Sequence, residues 1–121
     1  MKFNLRLKEP HIDVVENLKG KHLSSSNEDI IKMYVKAALN LHKNDLIFGK
    51  EREKCSGGCF GSEPQFEVDM DETDFNKLKK IYEDYDFDKY ETDEEVVSKI
   101  IRCIINFIDD EPKLISIWIE Y

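Results

Sequence analysis

Two groups of side chains in this chain have the types and spacing to do chemistry. Cys55 and Cys59 bracket Ser56-Gly57-Gly58. Paired thiolates bind zinc, but a structural zinc site usually takes four ligands, and His11, His22 and His42 stand at no paired spacing. The pair is read as loop cysteines, and no metal is expected. The second group is Asp84-Tyr85-Asp86-Phe87-Asp88-Lys89-Tyr90-Glu91-Thr92-Asp93-Glu94-Glu95. Asp84, Asp86, Asp88 and Glu95 fall at the first, third, fifth and twelfth places of a calcium loop. Lys89 stands where that loop turns on glycine, Glu91 replaces its apolar residue, and Glu95 has a competing place in a helix cap, so an acidic solvated loop is expected. The loop also interleaves carboxylates with aromatics. Aromatic anchors supply contact area and charge supplies steering, so Asp84, Tyr85, Asp86, Asp88, Tyr90 and Glu91 form a candidate surface for a basic protein. The plainer reading is that its aromatics pin the loop to the core.

Catalytic motifs are missing. There is no Walker loop, no Gly-x-Ser-x-Gly elbow and no His-Glu-x-x-His, and Gly57, Gly58 and Gly61 do not link a strand to a helix as a phosphate cradle must. A non-catalytic binding protein without a cofactor is expected.

Composition narrows the partners. The 121 residues are 40% hydrophobic and 36% charged, enough apolar material for one core. No run of about 18 apolar residues marks a membrane span, and no apolar stretch follows the first Lys as in a signal peptide. Three cysteines, an odd number, argue against a disulfide framework, and a cytoplasmic protein is expected. Cys103, inside an apolar helical run, reads as a buried small hydrophobe. The net charge of −8 is uneven: residues 1–62 hold eleven Lys/Arg and eight Asp/Glu, whereas residues 63–121 hold seven and eighteen. So negative a second half repels phosphate and attracts basic partners.

The elements that must position these residues come in two similar sets. Phe3-Asn4-Leu5-Arg6-Leu7 alternates apolar and polar, and so does Phe66-Glu67-Val68-Asp69-Met70, 63 positions later. Both read as half-buried strands. A helix follows each: Pro10 suits a first turn ahead of Ile12, Val15 and Leu18, and Asp71 suits an N-cap ahead of Phe75, Leu78 and Ile81. Second helices open at capping boxes, Ser26 with Asp29 and Thr92 with Glu95, now 66 positions apart. Their stripes are Ile30, Ile31, Tyr34, Val35 and Ala38, and Val96, Val97, Ile100, Ile101 and Ile104, in helices ending near Leu41 and Phe107. A closing strand is expected at Leu46-Ile47-Phe48 and again at Lys113–Tyr121, where Ile115, Ile117 and Ile119 share a face. The expected fold is α+β. Two β-α-α-β repeats pack as an intramolecular pseudo-dimer with a C-terminal strand: residues 1–48, a Gly/Cys-containing linker 49–64, and an acidic second repeat 65–121.

Strand, helix and capped helix in this order resemble the ribbon-helix-helix fold of Arc- and MetJ-type repressors. Lys2-Phe3-Asn4-Leu5-Arg6 and Ser26-Asn27-Glu28-Asp29-Ile30-Ile31-Lys32 carry the resemblance, with Phe66 to Met70 and Thr92 to Arg102 in the second copy. It covers residues 2–41 and 65–108. The resemblance implies that two strands pair as an antiparallel ribbon and enter the DNA major groove. It places Lys2, Asn4 and Arg6 outward, where Arg and Lys suit guanine and Asn suits adenine. The second strand would present Gln65, Glu67 and Asp69, which can accept from cytosine or pair with Lys2 and Arg6 across the ribbon. Asp93 and Glu94 open the second helix, where that family meets a phosphate.

Two functions follow as expectations. One is a DNA-binding transcriptional regulator acting on double-stranded DNA through Lys2, Asn4 and Arg6, as a monomeric pseudo-dimer or homodimer. The other is an acidic inhibitor, of the kind of an immunity protein, antitoxin or anti-defence protein, that blocks a basic enzyme.

Overall fold

A computed structural model describes residues 1–20, 26–42, 44–49, 65–85 and 92–110. The fold is mixed α+β and mostly helical. Its elements run β1 (Lys2–Arg6), α1 (Glu9–Lys19), α2 (Asn27–Leu41), α3 (Asn44–Phe48), β2 (Gln65–Asp69), α4 (Glu72–Asp84) and α5 (Asp93–Asp110).

The period-two alternation does what a half-buried strand requires. Phe3, Leu5 and Val68 are buried, while Lys2, Asn4, Glu67 and Asp69 are exposed. β1 and β2 pair antiparallel as a two-stranded sheet, with Lys2 opposite Asp69, Asn4 opposite Glu67 and Arg6 opposite Gln65. Beneath it the Phe3 ring meets Phe75 edge-on, with centroids 5.3 Å apart, a favoured aromatic geometry.

Helix starts follow the caps. The Asp29 N–H donates to Ser26 Oγ at 3.1 Å, and the Ser26 N–H donates back to Asp29 Oδ2 at 3.3 Å. The Glu95 N–H donates to Thr92 Oγ1 at 3.2 Å, but here the Thr92 hydroxyl itself donates to Glu95 Oε1 at 3.1 Å. Asp71 stands at the N-cap of α4 without capping it; its carboxylate lies 3.5 Å from Lys36 Nζ, which also reaches Asp74 at 3.6 Å. α2 ends on His42 in the left-handed conformation, φ 55°.

One expected strand is a helix. Leu46-Ile47-Phe48 lies in α3, a single turn. Ile47 and Phe48 are both buried while Leu46 is exposed. A strand would send adjacent side chains to opposite faces; a helical turn sets them about 100° apart, so both reach the core. The C-terminal strand expected at Lys113–Tyr121 and the linker from residue 50 to 64 lie outside the described residues, as do Cys55 and Cys59.

α5 is the central element. It packs on β1 and on α1, α2, α3 and α4. From Val96 to Ile108 every residue but Asn106 is buried. Cys103 is among them, as its apolar neighbours imply. So are Ser98, Lys99 and Arg102, each fully buried. Among the described residues no helix is long and apolar enough to cross a membrane.

Candidate nucleic-acid interface

The exposed face of the β1–β2 sheet carries Lys2, Asn4, Glu67 and Asp69, with Arg6 half-buried at one end. The strands thus bring Lys2, Asn4 and Arg6 to one face, as alternation requires. That face is paired within itself. Lys2 Nζ lies 3.9 Å from Glu67 Oε1, a diagonal pair between side chains that are both 69% exposed. The N-terminal ammonium donates to Asp69 Oδ1 and to the Met70 carbonyl oxygen, each at 3.0 Å. That hydrogen bond and the ammonium's charge hold the Asp69 carboxyl below its ordinary range, with Lys2 and Lys32 adding to the effect.

A two-stranded sheet has two open edges, and each needs partners for its outward amides. Here α2 and α5 supply partners to the Asn4, Arg6 and Asp69 amides. The Asn4 N–H donates to Glu94 Oε2 at 2.8 Å, and the Arg6 N–H donates to Ser98 Oγ at 3.1 Å, both on α5. Arg102 Nε donates to the Arg6 carbonyl oxygen at 2.7 Å. On the other edge the Asp69 N–H donates to Glu28 Oε2 at 2.9 Å, from α2. Glu28 is steadied by Lys32 at 3.6 Å, one turn on. The strand edge from each half of the chain is therefore closed by the capped helix of the other half.

Glu28, Glu94, Ser98 and Arg102 were not singled out by alternation or by helical stripes. A signal was present for two of them: Glu28 and Glu94 each stand two residues after a cap, Ser26 and Thr92, and are 66 positions apart. Their carboxylates occupy the helix N-termini, where the positive end of the dipole favours an anion. They turn back onto the ribbon.

The acidic segment is described only at its ends. Asp86, Asp88, Tyr90 and Glu91 lie outside the described residues. Asp84 is exposed, 3.7 Å from Lys80 one turn back. Tyr85 faces inward: its ring packs on Phe48 with centroids 6.0 Å apart, and its hydroxyl donates to Asp45 Oδ1. The Asp45 hydrogen bond pushes the Tyr85 phenol up to about 12, with burial and the charges of Asp45 and Asp84 adding to it. Among the described residues no group of His, Cys, Asp and Glu is arranged to hold a metal ion.

His11, half a molecule away in sequence, packs beside α5. Its Nδ1 accepts the Lys8 N–H at 3.2 Å. Burial lowers its pKa to about 4, aided by Arg102, Lys8 and Lys99 and opposed by a hydrogen bond with Asn106. No family model matches the chain, and neither a curated protein nor a solved structure matches it.

Proposed function

We propose that the chain is a ribbon-helix-helix pseudo-dimer made from one polypeptide, and that it is a non-catalytic transcriptional regulator binding double-stranded DNA through its ribbon. One observation carries the reading: Asn4 and Glu67, the counterparts at the 63-residue offset, stand directly opposite each other at the centre of an antiparallel pair. A two-fold ribbon pairs each residue with its own equivalent at only one place, its centre. The reciprocal closure of each strand edge by the other half's capped helix supports the same arrangement. The major groove admits a two-stranded ribbon, and the face offered to it carries Lys2, Asn4 and Arg6.

Electrostatics set the strength of such binding. Non-specific affinity comes from phosphate neutralisation, and a chain of net charge −8 supplies little of it. Binding therefore rests on base contacts and falls only gently with salt. The test is capture from cell lysate with and without nuclease. Retained DNA that vanishes on nuclease treatment, with no stoichiometric protein, is the expected result.

The excess of acidic residues in the second half, eighteen Asp/Glu against seven Lys/Arg in residues 63–121, favours a second reading, an acidic inhibitor docked on a basic enzyme. A single basic protein surviving nuclease treatment would establish that reading in place of the first.

A further inference from the structure

The two strands of the ribbon differ in hydrogen-bonding chemistry between Asn4 and Glu67 and between Arg6 and Asp69. At the 63-residue offset Lys2 corresponds to Gln65, Asn4 to Glu67 and Arg6 to Asp69. Lys and Arg only donate, and Asn does both; ionised Glu and Asp only accept. β1 therefore offers donors, and the two carboxylates of β2 offer acceptors. Of these, Asp69 is already engaged by the N-terminal ammonium at 3.0 Å. Glu67 is 69% exposed, and Lys2 Nζ stands 3.9 Å from its carboxylate, beyond hydrogen-bond reach. Glu67 is the acceptor placed to meet a base.

Base edges divide in the same way. Guanine shows two acceptors in the major groove, adenine an acceptor and a donor, and cytosine a donor amino group. A palindromic site presents equal edges to both halves of a ribbon. Asn4 and Glu67, at two-fold related positions, meet the same base in such a site, and the adenine that suits Asn is not the cytosine that suits Glu, so a palindrome fits at most one of them.

On the reading of the ribbon as a DNA reader, we infer that the target is non-palindromic. Lys2, Asn4 and Arg6 take purine edges in one half, and Glu67 takes the cytosine amino group on the other side of the centre. Glu67 is then a specificity-determining residue whose carboxylate also repels the flanking phosphates. It selects by what it rejects as much as by what it accepts.

Selection of bound sequences from a randomised duplex pool tests this, with the wild-type protein and with Glu67→Asn, which gives the second strand the same central residue as the first. The wild-type protein is expected to enrich a motif without two-fold symmetry, with cytosine at one position beside the centre. Glu67→Asn is expected to lose that preference by about tenfold, exchange it for adenine, and move the motif toward a palindrome. A two-fold symmetric wild-type motif would overturn the inference and leave DNA binding standing; so would a Glu67→Asn motif identical to the wild type. A pool with no enriched sequence would overturn the DNA-binding reading itself and the inference with it. Glu67 is 69% exposed, and the symmetry of the wild-type motif is decisive without the variant.

Discussion

Arg102, fully buried in α5, donates from Nε to the main-chain oxygen of Arg6 at 2.7 Å, joining residues 96 positions apart. The bond ties the end of β1 to the central helix. It also explains why a helix so apolar on all sides holds a guanidinium: the carbonyl at that strand edge needs a donor, and a charged donor gives a stronger hydrogen bond than a neutral one.

Arg102→Ala should therefore be among the most destabilising single changes in the chain. It removes a buried charge-assisted bond, leaves the Arg6 carbonyl without that donor and opens a cavity beside β1. A loss of about 3 kcal/mol is expected, read as a lowered urea midpoint with little change in slope. An unfolding free energy within about 0.5 kcal/mol of wild type would mean that the bond contributes nothing net.

Glu94→Ala removes the acceptor of the Asn4 N–H and should cost about 1–2 kcal/mol, while Glu94→Gln, which keeps an oxygen in place, should cost less. Glu28→Ala should do the same on the opposite edge through the Asp69 N–H. Amide hydrogen exchange separates the two: Asn4 should lose protection in the first variant and Asp69 in the second. If both amides stay protected, the carboxylates are not what closes the edges.

These edge contacts mark where sequence reading stops. The strands were legible because Phe3/Leu5 and Phe66/Val68 alternate with polar residues, and the helices because caps at Ser26 and Thr92 precede apolar stripes. The outward positions of Lys2, Asn4 and Arg6 came with the alternation. Leu46-Ile47-Phe48 does not distinguish a strand from a helical turn, because three apolar residues in a row carry no period. Ser98, Lys99 and Arg102 gave no signal at all, since polar residues in a helix are read as its solvent face. Their burial comes from elements packed around α5, several of them distant in sequence. Which carboxylate would turn back onto a strand is equally a tertiary fact.

His11 contributes to the acid limb of stability. Its folded pKa, about 4, lies below the unfolded value of 6.5, so between these values the unfolded chain binds more protons. Stability is full above pH 6.5 and is lost as pH falls toward 4, by on the order of 3 kcal/mol in all. His11→Asn keeps an acceptor for the Lys8 N–H but does not titrate. Its urea midpoint should change less than the wild type's between pH 7 and pH 4.5, and parallel curves for the two proteins would exclude His11 as the cause.

Tyr85 acts at the opposite end of the scale. Its folded phenol is pushed up to about 12 from an ordinary 10, so its contribution is present below pH 10 and is lost as pH rises through 12. The first cause is the bond to Asp45, which predicts the control. In a spectrophotometric titration of the five tyrosines, one should ionise last, and that late phase should disappear in Tyr85→Phe. In Asp45→Asn the phase should move back toward the ordinary range, because the amide oxygen still accepts but the negative charge is gone. Tyr85→Phe should cost no more than about 1 kcal/mol at pH 7, the worth of a single hydrogen bond near the surface, since the ring still packs on Phe48. A late phase that survives in Tyr85→Phe would assign it to another tyrosine and release the end of α4 from its tie to α3.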